Sequence, residues 1–202
     1  MRLGFNFYQQ DVLAVARNLL GKHLIRVLNG EKLICKIVET EAYKGPEDKG
    51  SHAYGNRRTK RTETMFLPGG FAYVYLIYGM YHMLNVVSAG SNQPQAVLIR
   101  AGEPIKGLEI MHANRKLKHN DSHKLLNGPG KLCSAMAIDL NFDGYDLVNG
   151  DKLYIESADM PEDDPGFKIV KAKRINIDYA EEYKDKLWRF YIADNPCVSH
   201  TN

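Results

Sequence analysis

Two carboxylates and a phenol stand at alternate positions of one short segment. Residues 37–43 read IVETEAY, and Gly45-Pro46 breaks the pattern two residues later. Because side chains alternate across a β-strand, we expect Glu39, Glu41 and Tyr43 to share one face near the end of a strand. A hydrophobic core would not accommodate two carboxylates, so the pattern predicts a polar cleft.

A histidine stands in the loop beyond this segment. Glu39, Glu41 and His52 could together bind a metal ion, which would make the protein a metal-dependent hydrolase. Two glutamates separated by one residue on a strand are nevertheless a weak metal signal. We therefore expect no metal site and no cofactor, and keep the hydrolase as an alternative.

The second unusual stretch carries four tyrosines in nine residues. Residues 73–81 read YVYLIYGMY and predict a hairpin whose turn lies near Gly79. Tyr78 and Met80 flank this glycine, and an exposed aromatic side chain at a hairpin tip has the shape of a wedge that enters a base stack. Tyr75 could stack on a planar ligand. The two outer tyrosines, Tyr73 and Tyr81, are expected to pack in the core with their hydroxyl groups in contact with water.

Composition is that of an ordinary globular protein, but its basic residues are clustered. The 202 residues include 44% hydrophobic and 25% charged residues and carry a net charge of +3, which fits one domain spanning residues 1–202. Three basic runs favour a polyanionic partner, and the densest lies at residues 57–61. We expect four of its side chains to contact phosphates: Arg57, Arg58, Lys60 and Arg61.

Cysteine usage and hydropathy bear on location. Three widely spaced cysteines argue against a disulfide framework or a zinc knuckle. No apolar run is long enough to span a bilayer, and the first residues lack the apolar segment of a signal peptide. We expect a cytoplasmic protein, associated with the nucleoid if the source is bacterial.

The elements that would position these residues form a mainly antiparallel sheet. Hydrophobic periodicity predicts a helix over residues 11–20, strands over 22–28 and 32–43 joined by Asn29-Gly30, and a long loop over 44–68. The remaining elements are predicted to be strands over 71–78, 80–88, 96–101, 153–156, 167–175 and 188–192 and helices over 105–117 and 128–138. The pattern indicates one α+β domain.

Several of these segments resemble the alkyladenine (3-methyladenine) DNA glycosylase family of base-excision repair enzymes. The matches run in order over nearly the whole chain and comprise Arg2–Gly4, Val38–Tyr43 with the following Gly-Pro-Glu-Asp, Tyr73–Tyr81, Asn85, Leu98–Ala101, Gly128–Cys133 and Arg189–Tyr191. The resemblance implies a curved antiparallel sheet with a protruding hairpin, similar to the C-terminal domains of formyltransferases. It also implies a monomer that acts on double-stranded DNA containing damaged purines, without a cofactor or an obligate protein partner.

The same resemblance implies roles for single residues. Glu41 looks like the general base that activates water, and Arg100 like a partner of that water or of the nearby phosphate. Tyr78 looks like the residue inserted where the flipped nucleotide was. Three residues look like the walls of the base pocket, and a fourth looks like the gate that narrows it: Tyr43, His52 and Tyr75, with Asn85 as the gate.

Elementary chemistry agrees with these roles. A damaged base must leave the stack before an enzyme can reach it, and aromatic walls attract a cationic alkylated purine. A carboxylate near the sugar can take a proton from water and favour the positive charge that develops on the ribose. Lys44 is the one lysine of the carboxylate segment and should lie on the opposite strand face, so we expect no Schiff base and an abasic site that is left uncut.

Two other interpretations remain open. The chain could be a module that binds nucleic acid without catalysing a reaction, although the presence of Glu41 argues against this. It could also be the metal-dependent hydrolase described above. Within the glycosylase interpretation, the residues do not select among 3-methyladenine, hypoxanthine and ethenoadenine as substrates.

Overall fold

One antiparallel sheet of eight strands organises the fold. The computed structural model describes residues 1–117, 121–158 and 166–201. The strands are β1 (His23–Leu28), β2 (Glu31–Lys44), β3 (Ala72–Ile77), β4 (Tyr81–Ser88), β5 (Gln95–Lys106), β6 (Leu153–Glu156), β7 (Ile169–Ala172) and β8 (Arg189–Ile192). Their order is β3-β4-β5-β2-β1-β6, with β8 beside β2 and β7 beside β8. Together with the short helices below, this sheet confirms the predicted α+β class.

Short helices cover the sheet. They are α1 (Phe5–Tyr8), α2 (Val12–Asn18), α3 (Leu108–Asn114) and α4 (Pro129–Ala135). The start of α2 is fixed by Asp11, whose carboxylate accepts hydrogen bonds from the amides of Leu13 at 2.9 Å and Ala14 at 3.4 Å. No helix in the ranges that the structure describes is both long and apolar enough to cross a membrane.

The longest strand, β2, places the predicted carboxylates in the middle of the sheet. It turns back from β1 through Asn29 and Gly30, whose φ angles of 51° and 85° suit a tight hairpin. Its first half pairs with β1, and its second half lies between β5 and β8. Val38 and Ala42 belong to the hydrophobic core on one face. Glu39, Glu41 and Tyr43 alternate with them, as the sequence predicts.

The pairing of β2 with β5 is irregular at the level of these carboxylates. Glu39 lies opposite Ala101 and Thr40 lies opposite Ile99, so Arg100 is an extra residue on β5. Such a bulge redirects side chains and is common beside active sites. Here it accompanies the approach of Arg100 to the glutamates of β2.

One predicted helix begins later than expected. Residues 105 and 106 continue β5, and α3 starts only at Leu108. The strand passes Pro104 at a register shift between Ile34 and Cys35, where a proline is tolerated. Gly107, with φ 83°, then ends the strand. The predicted loop over residues 44–68 contains two short 3₁₀ turns, Tyr54–Asn56 and Glu63–Phe66.

Candidate active site

A cavity of about 510 Å³ opens at the end of the sheet that carries Tyr43. Strands β2 to β5, the loop around residue 51, the start of α4 and the segment 175–179 all contribute to its wall. Predicted site residues that line it are Tyr43, His52, Tyr75, Tyr78, Asn85 and Arg100. The fold thus gathers residues from five separate parts of the sequence into one concave site.

An aromatic group forms one wall. The His52 and Tyr75 ring centroids are 4.6 Å apart with planes at 77°, and Tyr73 and Tyr75 lie 5.3 Å apart. His52 Nδ1 is 3.0 Å from the hydroxyl oxygen of Tyr73. The guanidinium of Arg61 lies over the Tyr75 ring, 5.1 Å from its centroid.

The aromatic wall is uncharged near neutral pH. Burial, and secondarily the charge of Arg61, lower the pKa of His52 to about 4. Burial raises the pKa of Tyr73 to about 12 and that of Tyr75 still further. An imidazole and two protonated phenols therefore face the cavity, and none of them repels a cation.

Glu41 lies directly behind the cavity wall rather than in it. Its side chain is fully buried. The Tyr43 hydroxyl donates to Oε2 at 2.8 Å, the amide of Ile175 donates to Oε1 at 2.8 Å, and Arg100 Nη1 is 3.4 Å from Oε1. Those three residues line the cavity. Burial and the Glu41 carboxylate raise the pKa of Tyr43 well above its usual value, so its hydroxyl remains a donor.

Glu39 belongs to a buried ionic network and not to the cavity. Its Oε1 accepts from Arg100 Nε at 3.2 Å and Arg189 Nη1 at 3.0 Å, and its Oε2 accepts from the amide of Ser199 at 2.8 Å. The expectation that both glutamates face a polar cleft is wrong. Two arginines compensate the charge of Glu39 in the interior, and Glu41 is buried behind the side chains that line the cavity. Glu39, Glu41, Arg100 and Arg189 are called the four-charge cluster below.

The four-charge cluster argues against the alternative that the protein is a metal-dependent hydrolase. A metal ion bound by Glu39 would have to displace two arginines. Among the described residues, no group of three His, Cys, Asp or Glu side chains could hold a metal ion.

Arg174 is a site residue that the sequence interpretation missed. Its guanidinium lies 4.7 Å from the Tyr43 ring centroid, and Nη2 donates to Asp48 Oδ1 at 2.7 Å. Both charged side chains are fully buried. The pair joins the loop after β2 to the segment after β7 and supports Tyr43 from behind. Asp48 ends the Gly-Pro-Glu-Asp motif, so the available signal was that motif, with no indication of its partner.

The hairpin between β3 and β4 projects beside the cavity. Tyr78 is 79% exposed and Met80 is 64% exposed. The turn holds Tyr78 and Gly79 at φ angles of 53° and 70°. Of the outer tyrosines, Tyr73 is buried as predicted, but Tyr81 is 49% exposed and lines the cavity. The core prediction is wrong for Tyr81 because it pairs with Ile77 next to the tip, beyond the reach of the core.

Asn85 is buried deep in the cavity wall. Its Nδ2 donates to the carbonyl oxygens of Tyr73 at 3.2 Å and Met83 at 3.3 Å. These bonds fix the side chain between β3 and β4, where it lines the cavity.

The predicted phosphate-binding residues are all exposed, but they differ in their partners. Arg58 forms a two-bond pair with Glu63, with Nε to Oε2 at 2.9 Å, and Arg61 lies over Tyr75. Arg57 and Lys60 are exposed on the same loop. Two further cations line the cavity, Arg115 from the second basic run of the sequence and Lys131 from the Gly128–Cys133 segment; the sequence interpretation gave neither a site role.

The fold supplies one concave site with aromatic walls and buried carboxylates behind it, and comparison with known proteins identifies the family of the chain. The model of the methylpurine-DNA glycosylase family matches residues 6–196. The chain belongs to this family, which confirms the resemblance found in the sequence. It is a DNA glycosylase, a hydrolase that acts on N-glycosyl bonds.

Bacterial relatives match over nearly their whole length. A protein of Natranaerobius thermophilus is 57% identical over 199 residues, covering 98% of this chain and 99% of that protein. One from Clostridium acetobutylicum is 53% identical over 205 residues, covering 98% of both chains. One from Bacillus cytotoxicus is 52% identical over 200 residues, covering 96% of this chain and 97% of that protein. All three are provisionally named 3-methyladenine DNA glycosylases.

Proposed function

We propose that this enzyme excises alkylated or deaminated purines of the 3-methyladenine type from double-stranded DNA and leaves the abasic site uncut. One observation carries the proposal. A buried carboxylate, Glu41, is hydrogen-bonded to Tyr43 at the back of an aromatic cavity, and an exposed hairpin tip stands beside the mouth of that cavity. The names of the relatives supply the substrate class.

Extrusion of the damaged nucleotide is the first step. Unstacking a base costs a few kcal/mol, and less when the base is damaged. Tyr78 and Met80 are exposed at the hairpin tip, so they can fill the gap left in the stack. Filling the gap slows the return of the nucleotide.

Recognition follows from the charge of the walls. An alkylated purine is cationic and electron-poor, and the rings of Tyr43, His52 and Tyr75 offer it uncharged π-faces. Because the pKa of His52 is about 4, this imidazole stays neutral at pH 7 and does not oppose the bound cation. Asn85 limits the size of the base that enters.

Hydrolysis requires Glu41 and Arg100. Each carboxylate oxygen can accept two hydrogen bonds, so Oε2 of Glu41 can accept one from water in addition to the one from Tyr43. The water oxygen bonds to the anomeric carbon, the N-glycosyl bond breaks, and the base leaves with the electron pair. Glu41 takes the proton and, as an anion, stabilises the positive charge on the sugar, while Arg100 orients Glu41.

Duplexes that each contain one defined lesion test the proposal. The enzyme should release free 3-methyladenine and leave a strand that breaks only after alkali treatment, with the same rate in a chelator. Release of no modified purine would refute the proposed substrate class. Loss of activity in the chelator would favour the metal-dependent alternative.

Borohydride trapping tests the single-step mechanism. Lys131 lines the cavity, and its Nζ donates to Asn127 Oδ1 at 2.7 Å. We assign it to the DNA backbone and not to a Schiff base. The wild-type enzyme and the Lys131→Gln variant should both give no covalent adduct with DNA; an adduct that disappears in the variant would contradict the assignment.

A further inference from the structure

Glu39 takes no part in the reaction proposed above, yet it has more charged partners than Glu41. Two arginines and one backbone amide bind its carboxylate. The side chain is completely buried, and its arginine partners are 8% and 1% exposed. Burying three charges together is expensive unless they serve each other or a neighbour. The neighbour here is Glu41.

Arg100 connects the two glutamates. Its Nε donates to Glu39 at 3.2 Å, and its Nη1 lies 3.4 Å from Glu41. Burial acts to lower the pKa of Arg100, but Glu41 and Glu39 more than offset it, so the guanidinium remains charged. One cation is therefore shared between the proposed base and a second carboxylate.

Arg189 and the chain near residue 199 complete the arrangement. Arg189 Nη1 donates to Glu39 at 3.0 Å and to the carbonyl oxygen of His200 at 2.9 Å. Arg100 Nη2 donates to Ser199 Oγ at 3.3 Å. The four-charge cluster holds two negative and two positive charges, so it is neutral as a whole.

We propose that Glu39 and Arg189 are positioning residues that balance the charge of Arg100 and thereby set the pH range in which Glu41 works as a base. This inference rests on the proposed role of Glu41. It predicts that neutralising Glu39 and neutralising Arg189 shift this pH range in opposite directions. Without Glu39, the cluster gains a net positive charge and favours the ionised form of Glu41. Without Arg189, the cluster gains a net negative charge and favours the protonated form.

Other titratable groups near Glu41 stay constant in this comparison. They come from several elements and comprise Tyr43 on β2, Tyr75 on β3, Arg174 after β7, and Tyr179 in the segment after it. The two residues to be changed are both neighbours of Glu41: Glu39 is two positions earlier on β2, and Arg189 on β8 is paired with Glu41.

Single-turnover excision measured from pH 4 to pH 9 tests the inference. The rate falls on the acid side as the base becomes protonated; His52, with a pKa of about 4, also takes up a proton near the acid end but is unchanged in every variant, so differences between variants report on Glu41. In Glu39→Gln this acid limb should move down by about one pH unit, and in Arg189→Gln it should move up by about one pH unit. The double variant is neutral again, so its acid limb should return to the wild-type position. Glu103→Gln is the matched control, because Glu103 lies on β5 and pairs with Lys36 instead of the cluster.

The outcomes separate this inference from the proposed function. If the wild-type enzyme releases no base, the function itself fails. If it releases base but both single variants only lower the rate at every pH, the two residues are merely structural and the inference is wrong. If one of the single variants is too unstable to purify, Glu39→Asp replaces it, because this substitution preserves the negative charge. The acid limb of its pH profile should then stay at the wild-type position. A shifted acid limb in Glu39→Asp would also overturn the inference.

Discussion

The four-charge cluster and the hairpin tip lie beside the same cavity, but the fold holds them in opposite ways. Every member of the cluster is buried and has several partners. Tyr78 and Met80 are exposed, and the turn and the strand pairing beneath it fix their place. In the proposed mechanism, the groups that must keep their geometry while the bond breaks are each held by several partners, whereas the groups that enter the DNA stack are exposed.

The comparison predicts that changes behind the cavity affect both stability and activity. Arg174→Met should give the largest loss of stability, because it leaves Asp48 buried without its cation. Breaking a buried ion pair from one side costs about 3–5 kcal/mol. Urea unfolding measures this loss, with Lys173→Met as the control, since Lys173 and Asp185 form an exposed pair. Equal unfolding midpoints for both variants would contradict the account.

The neutral histidine predicts a pH dependence of stability. The pKa of His52 is about 4 in the folded protein, against 6.5 for the free side chain. As the pH falls from about 6.5 to 4, the unfolded chain binds this proton before the folded protein does, so the folded state loses stability by roughly 2–3 kcal/mol. In His52→Gln this part of the pH dependence should be absent from urea unfolding curves. An identical pH dependence in both proteins would show that His52 is not held neutral.

At the hairpin tip, activity and stability should separate. Tyr78→Asn should lower excision from duplex DNA about tenfold, because the plug is lost. Asparagine tolerates the positive φ of this position, so the free energy of unfolding should change by less than about 0.5 kcal/mol. Tyr54→Asn is the control, since Tyr54 is 47% exposed and does not line the cavity. Wild-type excision by the Tyr78 variant would exclude intercalation by this residue.

The basic loop should show the smallest effects. Arg57→Gln and Lys60→Gln should each reduce the slope of log affinity against log salt concentration by about 1, as expected for one lost phosphate contact. Arg58→Gln should change it less, because Glu63 already binds that guanidinium. Lys152→Gln, next to β6 at the other edge of the sheet, should leave the slope unchanged. Equal slopes for all four variants would remove this loop from the DNA interface.

Local patterns predicted the strands and the exposed hairpin tip, whereas most residues of the cavity wall were predicted from the family resemblance. The alternation of residues 37–43 defined the face of Glu41 and Tyr43, and the glycine of residues 73–81 defined the exposed tip. These features depend on neighbours in the sequence, where period and turn chemistry are informative.

Long-range partners could not be predicted in this way. Glu39 is drawn out of the cleft by Arg189 and Ser199, which are 150 and 160 positions away in the sequence. The same holds for Arg174 behind Tyr43, 126 positions beyond its partner Asp48. Burial of a charge depends on such distant compensation, and single-sequence patterns do not carry it.

Substitution of Glu41 tests the central claim most directly. Glu41→Gln preserves the shape of the side chain and should lower single-turnover excision of 3-methyladenine by about 10²–10⁴-fold, while the affinity for the damaged duplex is retained. Glu47→Gln is the matched control, because Glu47 is exposed and follows the same strand; it should excise at the wild-type rate. Excision by the Glu41 variant at the wild-type rate would contradict the account.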